Sequence, residues 1–190
     1  MSANTIEQNQ RLNPLRDDEE VWLFGYGSLI YLVDFPYLES RPASIEGWCR
    51  RFWQGSHDHR GTEAAPGRVV TLVEQAGHSC HGIAYRVDSA VFRQLDVREK
   101  NGYLRLKTDL TFADGGSAQG LVYIATDENE AWLGEADEYQ IALQISSAEG
   151  ASGPNDEYLV ELAKSLRAMA IDDPHVFAIE RCLRQIRSAG

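Results

Sequence analysis

Val21-Trp22-Leu23-Phe24-Gly25-Tyr26-Gly27-Ser28-Leu29-Ile30 is the stretch from which the rest of the chain is read. A short apolar run with strand propensity enters two glycines that bracket a tyrosine. Glycine has no Cβ, so it accepts positive φ and lets a ligand approach the main chain closely. A strand ending in such a turn presents successive backbone N–H groups as a concavity for an anion. Taken by itself, the same string also fits a plain tight turn. It is not a dinucleotide loop, because Ile30 replaces the third small residue of G-x-G-x-x-G and Pro36 interrupts the helix that should follow. No Gly-Lys-Ser/Thr is present, which excludes a phosphate P-loop.

Strand signals continue outward from this stretch. Ala43–Gln54 carries Trp48, Phe52 and Trp53, and Arg68–Glu74 reads R-V-V-T-L-V-E. Cys80–Val87 follows after Gln75-Ala76-Gly77-His78, which predicts a hairpin. Tyr103–Phe112 alternates, with Leu104, Leu106, Thr108, Leu110 and Phe112 on one face and Arg105, Lys107 and Asp109 on the other. Gly115-Gly116 supplies a turn into the β-rich run Gly120–Thr126. A short helix is expected after Asp88-Ser89, with Val91, Phe92 and Leu95 as its apolar stripe and Asn101-Gly102 as its stop.

The end of the chain turns helical: Glu138–Ser147, then a helix capped by Asn155, then one started by Asp173-Pro174 with Phe177, Leu183 and Ile186 buried. Residues 1–20 are polar and read as a flexible extension, leaving 21–190 as one domain. About six strands with helices inserted and appended predict an α+β fold built on a closed or strongly curved sheet.

At 190 residues the chain suits one domain. Its net charge of −11 argues against nucleic acid and anionic membrane surfaces as partners. The charge is uneven: residues 1–110 sum to −2 and 111–190 to −9, so the first part keeps arginines for a small anionic ligand. Cys49, Cys80 and Cys182 are odd in number and widely spaced, which speaks against a disulfide framework or a structural zinc and for a reducing cytoplasm. No apolar run reaches the roughly 18 residues of a membrane span, and no signal peptide is evident.

Glu99 is the informative anomaly. It falls four residues after Leu95, on the stripe the helix turns toward the core, and in the last turn, where the helix dipole is negative. Desolvation and that dipole both favour the protonated carboxyl, so a raised pKa is expected, as suits a general acid/base. The bland alternative is an ion pair with Arg98, Lys100 or Arg105, or an exposed, frayed end. His57-Asp58-His59-Arg60 lacks the third ligand of a metal site and reads as a structured or substrate-contact loop. Arg50, Arg51, Arg60 and Arg68 are of the type that holds carboxylates, and Tyr103 and Tyr158 either orient a ligand or serve as core aromatics.

These pieces coincide with a known pattern. Phe24–Ile30 and Val33-Asp34-Phe35-Pro36-Tyr37 resemble the opening of the ChaC-type γ-glutamylcyclotransferases. Arg50–Ser56, Asp58-His59-Arg60-Gly61, Pro66–Val73, Arg98-Glu99-Lys100 with Gly102-Tyr103, and Glu157-Tyr158-Leu159 continue the likeness in order. The likeness spans about Val21 to Leu183. It departs at Tyr31-Leu32 and Asn101, where many members have Trp-Lys and glycine, and at His57, which flanks the Asp-His-Arg loop.

The resemblance implies a small mixed β-barrel flanked by helices. It also implies conversion of reduced glutathione, a small-molecule substrate, to 5-oxoproline and cysteinylglycine with no cofactor and no metal. It makes Gly25, Tyr26, Gly27, Ser28, Leu29 and Ile30 the loop for the γ-glutamyl group and Glu99 the acid/base. Arg51, Tyr103 and Tyr158 fall in its matching segments as substrate contacts. Other γ-glutamyl substrates, or a non-catalytic protein that binds γ-glutamyl peptides, remain alternatives.

Overall fold

A computed structural model describes residues 4–189 of the chain. The barrel is formed by β1 (Glu20–Gly25), β2 (Glu39–Ser56), β3 (Gly67–Asp88), β4 (Tyr103–Phe112) and β5 (Ser117–Ala125). They close in the order β1-β3-β2-β4-β5. β1 runs antiparallel to β3 and parallel to β5, so the sheet is mixed. α1 (Ile6–Leu12) precedes the barrel, and α2 (Ala90–Arg98) sits between β3 and β4. α3 (Glu138–Ser147), the two-residue strands β6 (Glu149–Gly150) and β7 (Gly153–Pro154), α4 (Asn155–Ala168) and α5 (Pro174–Ala189) complete the chain.

The barrel has five strands where the sequence suggests about six, because the expected hairpin at Gln75–His78 does not form. Arg68–Glu74 and Cys80–Val87 are one strand, β3. A two-residue hairpin turn of the favoured type needs positive φ at both central residues. Of these four residues Gly77 alone has it, at +77°, and β3 carries on to pair Ile83–Asp88 with β1. Gly115 and Gly116 both have positive φ, and the turn expected between β4 and β5 is there.

Residues divide between two compact units. The first runs up to Cys49 and takes in Leu72–Glu130; the second holds Arg50–Thr71 and the chain from Ala131 onward. In the first unit α2 lays Val91, Phe92 and Leu95 against Leu23, Tyr85, Val87, Leu121 and Tyr123 of the barrel wall. Each such side chain contributes roughly 1.5–3 kcal/mol when fully buried.

The segment read as a flexible extension holds α1, and within it Thr5, Asn9 and Asn13 are buried. Residues 1–3 lie outside the described residues. Arg105, expected on the polar face of its strand, is 2% exposed. Its Nη1 binds both carboxylate oxygens of Asp96, at 2.9 and 2.8 Å.

In the second unit α3, α4 and α5 pack through Ile141, Ile145, Leu159, Leu162, Leu166, Val176, Ile179 and Leu183. Phe177 and Ile186, expected in that core, are only half-buried, because the buried face of α5 runs through Val176, Ile179 and Leu183. Asn155 does not cap α4. It is the first helical residue, with Pro154 before it, and its carboxamide bonds the Arg68 backbone at both N–H (2.7 Å) and C=O (2.8 Å).

Candidate active site

β1 ends at Gly25, and the chain turns at once. A Cβ on Gly25 would lie 2.7 Å from the Leu29 Cβ, a separation real side chains do not reach. Close approach therefore requires this glycine; neither it nor Gly27 has positive φ, contrary to the sequence expectation. Ser28–Ile30 form one turn of 3₁₀ helix, closed by Ile30 N–H donating to the Gly27 carbonyl at 3.0 Å. Two tyrosines brace the loop. Tyr85 Oη donates to the Leu29 carbonyl at 2.6 Å, and Tyr26 Oη donates to the Tyr123 carbonyl at 2.8 Å. Burial, with a smaller contribution from Tyr37, pushes the Tyr85 hydroxyl up to about 12, so it stays a donor. Tyr26 and Ile30 point into the protein, and Gly27, Ser28 and Leu29 are left half-exposed.

α2 starts with Ala90 N–H donating to Asp88 Oδ1 at 2.7 Å, and Ser89 makes no side-chain cap. The helix stops at Arg98. Glu99 leaves helical geometry (φ −93°, ψ 12°) and closes the end, its N–H on the Leu95 carbonyl at 2.8 Å and its own carbonyl accepting from Tyr103 N–H at 3.3 Å. Gly102, at φ +86°, then turns the chain into β4. Because the helix ends before Glu99, that side chain sits at the rim, 22% exposed, rather than on the buried stripe. The buried carboxylate of α2 is Asp96, which also accepts from Tyr123 Oη at 2.6 Å.

Arg98 joins these two pieces. Its Nε lies 3.3 Å from Glu99 Oε1, its Nη1 donates to Asp34 Oδ1 at 3.0 Å, and its Nη2 donates to Ser28 Oγ at 3.4 Å. One guanidinium thus touches the glycine loop and Glu99 together. Of the three partners offered to Glu99 by the sequence, Arg98 pairs with it, while Arg105 is engaged by Asp96. Sequence reasoning missed the joining role of Arg98 and the part of Asp34. The signal was only that both sit inside the matching segments.

Tyr103 begins β4 next to Glu99 and packs partly against the α2 core. Arg51 and Tyr158 belong to the second unit. Arg51 donates from Nη1 to the Arg50 carbonyl at 2.9 Å. Tyr158 is buried edge-on to Phe52, and its hydroxyl accepts from Val70 N–H at 3.4 Å. The neighbouring arginines are engaged: Arg50 with Asp173, Arg60 with Glu157 and the Pro154 carbonyl. Arg68 meets Gln144 and the carbonyls of Phe52 and Gly134, and burial among these neutral groups holds its pKa below the ordinary value. His59 Nδ1 hydrogen-bonds Ser152 Oγ at 3.1 Å, so the Asp58–Gly61 loop is structured.

A model of the family described as ChaC-like protein matches residues 21–186. The chain belongs to the ChaC-like family. Among its relatives, "Glutathione-specific gamma-glutamylcyclotransferase 1" of Danio rerio is 43% identical over 174 residues, covering 86% of this chain and 88% of that protein. "Gamma-glutamylcyclotransferase 2-3" of Arabidopsis thaliana is 41% identical over 180 residues, 88% of this chain and 90% of the relative. The fold has a solved counterpart. A yeast γ-glutamyl cyclotransferase specific to glutathione superposes with a TM-score of 0.81 at 30% identity, over 87% of this chain and 96% of that one.

Proposed function

We propose that this protein is a glutathione-specific γ-glutamylcyclotransferase, converting reduced glutathione to 5-oxoproline and cysteinylglycine, with Glu99 as the general acid/base. The observation that carries this is the 43% identity over 86% of the chain to a protein named for that activity. The shared fold of the yeast cyclotransferase specific to glutathione adds to it. Residues 21–190 act as one catalytic domain, in keeping with the family match over 21–186.

The chemistry asks little more than positioning. The α-amine of a γ-glutamyl amide attacks its own side-chain carbonyl carbon, forming the lactam C–N bond. The nucleophile is already tethered, so the enzyme must fold the substrate into attack geometry. Collapse of the tetrahedral adduct breaks the bond to the cysteinyl nitrogen. Glu99 takes the proton the attacking nitrogen sheds and delivers it to the leaving nitrogen, so the carboxylate is regenerated. The first N–H groups of a helical turn have no partner within it. Those at the start of Ser28–Ile30 are available to hold the substrate's carboxylate or the developing oxyanion. Arg51, Tyr103 and Tyr158 are the remaining substrate contacts in this reading.

The location that fits is the cytoplasm. Cys49, Cys80 and Cys182 take part in no disulfide among the described residues, a state a reducing compartment maintains. Among the described residues no helix is long and apolar enough to cross a membrane.

The test is incubation of purified protein with reduced glutathione, reading both products by mass spectrometry, beside Glu99→Gln and with γ-glutamyl-alanine as a second substrate. Both products from wild type, a loss of about 10²–10⁴-fold in Glu99→Gln and an untouched dipeptide are expected. Cleavage of the dipeptide alone would move the specificity, and near-normal turnover by Glu99→Gln would remove Glu99 from its role.

A further inference from the structure

The family match begins at residue 21, yet the segment before it buries three polar side chains: Thr5 at 4% exposure, Asn9 at 0% and Asn13 at 7%. Buried amides are stable only when hydrogen-bonded, so their partners explain the segment. Those partners lie on the chain directly after Glu99. β4 pairs with β5 along Tyr103–Thr111, and among the described residues it meets β2 at Thr111 and Phe112. The opposite edge of its first half therefore presents backbone groups that a sheet would leave unpaired.

Asn9 fills that edge. Its Nδ2 donates to the Tyr103 carbonyl at 3.0 Å, and its Oδ1 accepts from Arg105 N–H at 2.8 Å. One carboxamide thus bonds the groups either side of Leu104, the pattern a residue of a parallel strand would make. Asn13 Nδ2 donates to the Arg105 carbonyl, the next outward group. Thr5 N–H and Oγ1 both donate to the Lys100 carbonyl, at 3.1 and 3.2 Å, and Asn4 bridges Asn101. The carbonyls of Asn9 and Asn13 also accept from Arg105 Nη2, at 3.2 and 2.9 Å, while Nη1 of the same arginine holds Asp96 of α2. The segment therefore grips the chain on the C-terminal side of Glu99 directly, and the helix on its N-terminal side through Arg105.

We propose that Asn9 is a positioning residue: residues 4–13 form a strap that fixes Lys100–Arg105 and so aims the Glu99 carboxylate. The proposal rests on the reading of Glu99 as the acid/base. Loss of the strap leaves the γ-glutamyl loop untouched, since none of its bonds reach Gly25–Ile30. It acts mainly on turnover, and on binding only through Tyr103.

The experiment uses the full chain with Asn9→Ala and Asn9→Asp, and Gln10→Ala at an exposed helix position as control. kcat and KM for reduced glutathione, amide hydrogen exchange at residues 99–105 and Tm are read together. Asn9→Ala is expected to lower kcat about tenfold or more, with a smaller rise in KM through Tyr103, and to speed exchange across residues 100–105. Asn9→Asp keeps the acceptor for Arg105 N–H but sets a buried carboxylate oxygen against the Tyr103 carbonyl, so it should lower kcat at least as far as Asn9→Ala. If the Asn9 variants fail to fold, Asn13→Ala, which loses the side-chain bond to the Arg105 carbonyl, carries the comparison. Faster exchange or a lower Tm with unchanged kcat would overturn the positioning role, and unchanged exchange would overturn the strap. Glu99→Gln runs in the same assay. Full activity there would reject Glu99 as the acid/base, while the exchange data would still judge the strap by itself.

Discussion

The Nε of Arg98 sits 3.3 Å from Oε1 of Glu99, and the same guanidinium reaches the Ser28 hydroxyl. The two side chains are 24% and 22% exposed, so as an ion pair they contribute little, under about 1 kcal/mol. Their value is geometric. Arg98 is also anchored by Asp34, which leaves its fork little freedom to follow solvent. A carboxylate that must hand a proton between two nitrogens gains from a partner that fixes its orientation without burying it.

Replacement of Arg98 by methionine should therefore reduce kcat for glutathione by about 10–100-fold while leaving the chain folded. Thermal denaturation should move by no more than a few degrees, in keeping with a partly exposed pair. Steady-state kinetics beside a melting curve check this. Unchanged kcat in a folded Arg98→Met protein would mean that Glu99 needs no brace.

Gly25→Ala tests the loop. The added Cβ, 2.7 Å from that of Leu29, must push the 3₁₀ turn away from β1, and the Leu29 carbonyl moves off Tyr85 Oη. Overpacking of this kind costs about 1–3 kcal/mol. The larger effect should fall on KM, rising at least about tenfold, because the displaced segment carries the N–H groups assigned to substrate. Wild-type KM in this variant would place substrate binding elsewhere.

Asp96→Asn should be the most destabilising single change proposed. Arg105 and Asp96 are 2% and 5% exposed at their side chains, and removal of one partner leaves an uncompensated buried cation. Breaking such a pair costs about 3–5 kcal/mol. Urea denaturation of Asp96→Asn against Asp34→Asn, whose carboxylate is 54% exposed, should show a large shift for the first and under about 1 kcal/mol for the second. Equal shifts would contradict the burial argument.

What the sequence makes legible follows from how local each signal is. β4 and the Gly115-Gly116 turn are readable because alternation and paired positive-φ glycines act within a few residues, and the Asp137 cap that starts α3, accepting from Gln140 N–H, is equally local. Gly25–Ile30 and Glu99 stand out for the same reason: small residues and a carboxylate where the pattern wants something else. Arg105 is misread because its partner lies nine residues back on a helix, and alternation alone sends an arginine outward. α1 is invisible because amide bonds to a distant strand edge hold it more than an apolar stripe does. The bridge made by Arg98 needs the loop and the helix end to be adjacent, which only the closed barrel provides.

His175 supplies a pH dependence of stability. Its ring is 9% exposed, and Nε2 accepts from Phe52 N–H at 3.1 Å, which requires the neutral imidazole. Burial lowers its pKa first and the nearby Arg51 adds to that, outweighing the opposite pull of Asp173 and Glu138. Above pH of about 6.5 the ring is neutral in both folded and unfolded chains, and its contribution is fully present. As pH falls below that value the unfolded chain binds a proton that the folded one refuses. Unfolding free energy then drops by at most about 1.4 kcal/mol per pH unit until the lowered folded pKa is reached. Glu180 acts in a separate window: burial would raise its carboxyl, but Arg167 and Arg184 hold it below its ordinary value, so its contribution fades only at more acidic pH. His175→Gln keeps an acceptor for Phe52 N–H and removes the titration. Urea denaturation between pH 7.5 and 5 should show stability falling more steeply in wild type than in His175→Gln, and parallel curves would exclude His175 as the group responsible.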